Sequence, residues 1–117
     1  MILDDNVMDV LQVEKALKAS GYTFTSLLSP RGALSKVEFE RPEILLLEIA
    51  TKKFKVETLI GELKASSFYH SLVVVLFSHK DPEYLQAWCV KHDLNGYYSK
   101  SMGISKIAAF LDNFYDE

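Results

Sequence analysis

The sequence predicts an α/β protein built on a doubly wound, five-stranded parallel sheet. Two observations carry this. Short apolar runs alternate with amphipathic stretches five times along the chain. Two of the runs, Ile44–Ile49 and Leu72–Phe77, are almost unbroken, which marks strands buried on both faces. Strands alternating with helices pair in parallel, with right-handed crossovers that cover both faces of the sheet.

Each element has its own signal. Met1–Leu3 is an apolar strand stopped by Asp4-Asp5-Asn6. Val10, Leu11, Ala16 and Leu17 then recur at helical spacing, with Asn6 as the N-cap, Asp9 three residues on, and Gly21 to end the helix. Thr23–Leu28 reads as the second strand. Ser29-Pro30 reads as a cap with proline at the first helical position, opening a helix to about Glu40. Arg41-Pro42 breaks the chain before the third strand at Ile44. After a basic loop at Lys52, Lys53 and Lys55, residues Val56, Leu59, Ile60 and Leu63 mark a third helix. Leu72–Phe77 is the fourth strand, and Asp81-Pro82 caps a fourth helix running to about His92. Gly96-Tyr97-Tyr98 is a short fifth strand. Ile104, Ile107, Ala108, Leu111 and Phe114 give the last amphipathic helix.

Composition narrows the function classes. With 117 residues, 49% hydrophobic and 25% charged, the chain has the balance of one ordinary globular domain, residues 1–117. The net charge is −3 and the basic residues are scattered, so the stripe needed for direct nucleic-acid binding is absent. One cysteine, Cys89, cannot make an internal disulfide. No apolar run reaches the roughly 20 residues of a membrane span, and the start lacks signal-peptide character. A cytoplasmic protein is the expectation. The histidines His70, His79 and His92 show no metal-ligand spacing.

In a parallel sheet of this kind, ligands sit beyond the carboxyl ends of the strands. Those ends carry Asp4 and Asp5, Glu48, Ser78 and Lys100. Three carboxylates, a hydroxyl and an ammonium would converge at one edge.

This ordered set resembles the response regulator receiver domain, the CheY-like family of bacterial two-component phosphorelay signalling. Ile2-Leu3-Asp4-Asp5-Asn6 is similar to the family's acidic pair, and Pro42–Glu48 to the segment carrying the phospho-acceptor aspartate. Val74–Ser78 resembles the strand ending in the switch Ser or Thr. Asn95–Lys100 resembles the segment with the switch aromatic, here Tyr97, and the active-site lysine. The resemblance implies a flavodoxin-like sheet in the order 2-1-3-4-5. It implies Mg2+ as cofactor, held by Asp4, Asp5 and Glu48. It also implies partners of three kinds: a sensor kinase, another receiver, or an output domain.

The departures are as informative. Glu48 stands where the family has aspartate, His79 where it has a small residue, and Ser101 where it has proline. Glutamate reaches further by one methylene, and a displacement near 1 Å can cost roughly a hundredfold in rate. The expectation is a pseudo-receiver, a non-enzymatic module not phosphorylated in the usual way, with Glu48 paired to Lys100 or to a cation. Without proline, the Lys100–Ser101 bond is expected to be trans. The rival readings are a functional Mg2+-dependent phospho-acceptor, a purely structural dimerisation domain and a flavodoxin-like cofactor binder. The last lacks a Gly-rich phosphate cradle.

Plainer roles stand beside these. The acidic pair can be a turn and helix cap, Ser78 a strand-end hydroxyl, Lys100 a solvated loop residue and Tyr97 a packed aromatic. Cys89 is expected to face the core, which turns Trp88 outward. With Tyr84 and Tyr98 it would form an apolar partner face, suited to a homodimer through helix four, strand five and helix five. Only three residues precede Asp4, so the first strand is either short or continued by residues ahead of Met1.

Overall fold

The computed structural model describes residues 1–29, 31–51 and 55–115. Pro30, Lys52 and Lys53, on which part of the second cap and the basic loop rest, lie outside the described residues.

Five parallel strands form one sheet in the order β2-β1-β3-β4-β5: β1 (Ile2–Leu3), β2 (Ser26–Leu27), β3 (Ile44–Leu47), β4 (Val73–Ser78) and β5 (Gly96–Ser99). The helices are α1 (Val7–Ala19), α2 (Ala33–Glu40), α3 (Val56–Lys64), α4 (Pro82–His92) and α5 (Ile107–Asp112). The doubly wound fold expected from the sequence is the fold observed.

The alternation of side chains along each central strand builds two cores. Leu45, Leu47, Val74 and Leu76 point to one face and pack against Val37 of α2, Ile60 and Leu63 of α3, and Leu85 and Cys89 of α4. Ile44, Leu46, Val75 and Phe77 point to the other and pack against Val10, Val13 and Leu17 of α1 and Ile107 and Leu111 of α5. Both faces are covered, which is why these strands read as unbroken apolar runs.

Besides shifts of one or two residues at β3 and β4, three elements depart from expectation. The second strand shrinks from Thr23–Leu28 to Ser26–Leu27, because its neighbour β1 has only two residues, pairing Ile2 with Ser26 and Leu3 with Leu27. The second helix begins at Ala33 rather than beside Pro30. Gly32, at φ 73°, supplies a left-handed residue before it, and the Ser29 hydroxyl accepts the Arg31 N–H instead of capping a helix. The last helix is split, with a single 3-10 turn at Ile104–Lys106 ahead of α5. Among the described residues no peptide bond is cis. No described helix is long and apolar enough to cross a membrane.

Candidate functional site

The carboxyl ends of the strands converge on one ammonium. Lys100 follows β5 directly, and its side chain is fully enclosed (0% exposed). Its Nζ donates to Asp4 Oδ2 at 2.6 Å, Asp9 Oδ2 at 2.8 Å and Glu48 Oε1 at 3.2 Å. The same ammonium lies 5.1 Å from the centre of the Phe77 ring, the last large residue of β4 before Ser78.

Local structure fixes each carboxylate. Asp4 ends β1, and its second oxygen accepts the Asn6 N–H at 2.9 Å, forming an Asx turn into α1. Glu48 follows β3, its own N–H bonded to the Leu3 carbonyl, and its Oε2 accepts the Ala50 N–H at 3.2 Å. Asp9 lies in the first turn of α1, where Asn6 caps its N–H at 3.1 Å and negative charge is favoured by the helix dipole. Asp9 Oδ2 also meets His79 Nε2 at 3.1 Å.

The electrostatics follow from burial opposed by pairing. Burial holds the Asp4 carboxyl above the ordinary carboxylate range, despite the bonds from Lys100 and Asn6. Burial also raises Asp9, but the bonds from Lys100 and then His79 outweigh it and hold this carboxyl below that range. For Lys100, burial favours the neutral amine. The Asp4, Asp9 and Glu48 carboxylates together outweigh it and hold the ammonium above its usual value. Three carboxylates against one ammonium leave two negative charges in excess.

The sequence-derived residues divide. Asp4, Glu48 and Lys100 meet. Asp5 does not: it is exposed, and Asp9 takes the place expected of it. Ser78 is fully buried, but its hydroxyl accepts the Lys80 N–H at 3.3 Å and makes no bond to the cluster. Ser99, which the sequence reading missed, ties the loops together by donating to the Lys80 carbonyl at 2.8 Å. Tyr97 is half-buried against the α3–α4 core.

The expected aromatic partner face is corrected by the same packing. Tyr98 is buried, stacked on Phe77, with its hydroxyl donated to the Gly103 carbonyl at 2.5 Å. Trp88 packs partly on the core, with His92 4.5 Å from its ring, rather than standing free. Only Tyr84 is exposed, beneath the Lys80 ammonium.

Nor do these residues fit the magnesium ion that the resemblance implies. Mg2+ requires near-octahedral oxygens at about 2.0–2.1 Å. The inward carboxylate oxygens here are donated to by Lys100, Asn6 and Ala50, and Asp5 faces solvent. Among the described residues no group of three His, Cys, Asp or Glu is arranged to hold a metal ion. A groove of about 840 Å³ opens at the opposite edge of the sheet, lined by Met1, Tyr22, Glu40 and Tyr115, away from this cluster.

No family model matches the sequence, and a search of curated proteins gives no match. Solved structures do match. The chemotaxis response regulator CheY4 of Vibrio cholerae superposes with a TM-score of 0.81 at 17% identity, covering 96% of this chain and 93% of that one. A response regulator signal receiver domain from Bermanella marisrubri gives 0.83 at 16% identity, covering 98% and 95%. A CheY-like receiver domain from Methanospirillum hungatei gives 0.78 at 15% identity, covering 96% and 88%. The fold is that of the CheY-like receiver domains.

Proposed function

We propose that this chain is a non-enzymatic, cytoplasmic signalling domain of the receiver type, held in one conformational state without phosphorylation or a divalent cation. It acts by contact with a sensor kinase, another receiver or an output domain. The observation that carries this is the Lys100 ammonium, enclosed and donated to Asp4, Asp9 and Glu48 at once.

Phosphoryl transfer to a carboxylate needs an in-line oxygen and a cation that neutralises the developing charge. Here Glu48 spends one oxygen on Lys100 and the other on the Ala50 N–H. A phosphodonor approaching this edge meets an excess of negative charge and a histidine in place of a small residue. The ammonium thus stabilises Glu48 in the role a modified acceptor would otherwise take, and ties the ends of β1, β3 and β5 to α1. A buried ion cluster is weak evidence of stability, because desolvation offsets much of the attraction. Its stronger consequence is that one arrangement is specified.

The test is incubation with a small-molecule phosphodonor and magnesium, followed by intact mass measurement. The expected outcome is unmodified protein. A stoichiometric phosphoryl adduct overturns the proposal.

A further inference from the structure

Among the described residues, His79 is the imidazole in contact with the ion cluster. It begins the loop between β4 and α4, and its ring meets Asp9 Oδ2 at 3.1 Å on the far element α1. The same oxygen accepts from Lys100 at 2.8 Å. The imidazole is therefore joined, through one carboxylate, to the ammonium that holds Asp4 and Glu48. Its side chain is 63% exposed, so protons reach it from solvent, whereas Asp9 is largely enclosed. The other charged groups on the histidine's own loop are Lys80, whose ammonium lies over the Tyr84 ring, and Asp81.

We propose that His79 makes the centre a proton-responsive switch, in which a proton replaces the phosphoryl group as the signal. This rests on the reading that the centre is fixed without phosphorylation. With neutral imidazole the cluster carries two excess negative charges; with imidazolium it carries one. Imidazole is the side chain that makes this change between about pH 5 and 8. Protonation turns the His79–Asp9 contact into a charge-assisted bond and draws the β4–α4 loop toward the start of α1.

The experiment compares the parent with His79→Gln, which keeps a side-chain hydrogen-bond donor but cannot titrate. Backbone amide resonances of Asp9 and Val10 are followed from pH 8 to pH 5. The expected result is a one-proton shift of both amides in the parent and none in the variant. Coincident traces for the two proteins overturn the proposal. The phosphodonor assay is run on the same samples: an adduct overturns the reading beneath it, whereas coincident traces without an adduct overturn the histidine switch alone.

Discussion

At the residue scale, the unexpected member of the cluster is Asp9. It was readable as the residue three after an N-cap, and it fills that place, since Asn6 does accept its N–H. Its second role had a signal too. Asp9 stands four residues before Val13 and eight before Leu17, on the face of α1 that turns inward. An acidic residue in register with a core stripe needs a buried cation, and among the described residues Lys100 is the buried one. Asp9→Asn keeps the cap backbone and the shape but removes the charge. It should lower stability at neutral pH by about 1.5–3 kcal/mol, the range for hydrogen bonds to charged groups. The Asp9 carboxyl lies below the ordinary value of 3.8, so its contribution is present above that pH and lost as pH falls through the folded value. The gap between parent and variant in urea unfolding should therefore narrow toward acid.

At the element scale, strand ends obey their neighbours more than their own composition. Thr23–Thr25 has the pattern of a strand, yet β2 covers only Ser26–Leu27, because β1 offers just Ile2 and Leu3 to pair with. Composition cannot show this; pairing can. The long apolar strands β3 and β4 were legible because both their faces are covered, and residue type alone reports that. Gly96 shows what an alignment of periods cannot. A methyl group there would come within 3.1 Å of the Phe114 ring, beyond the end of α5. Gly96→Ala should cost about 1–3 kcal/mol by overpacking, measured by thermal or urea unfolding. Pairing it with Phe114→Leu should recover part of that loss.

At the scale of the whole molecule, the fold and the edge where polar groups gather were both legible, because parallel sheets place strand ends on one side. The membership of the site was legible for Asp4, Glu48 and Lys100, and not for Asp5 against Asp9, since that choice depends on where α1 begins. Surface character was the least legible. Trp88 next to a buried Cys89 was expected to face solvent, but a helix face is broad enough for both to touch the core. Trp88→Ala should therefore lower the unfolding midpoint. Sedimentation of the variant at native pH, compared with the parent, checks whether any change in assembly accompanies it.

The division of charge along the chain has a consequence for how the molecule can be cut. Asp4, Asp9 and Glu48 all lie in the first half, while Lys100 and His79 lie in the second. A fragment ending before α3 would carry the three acids without the lysine that pairs them, and the complementary fragment that lysine without its three carboxylates. Neither piece can bury its share alone without leaving a charge unpaired in an apolar setting. Mixed together, the two halves are expected to bury these groups where neither does alone, which far-UV circular dichroism of the mixture against the separate pieces checks. The enclosed lysine is, in this sense, the clasp by which one half of the chain recognises the other.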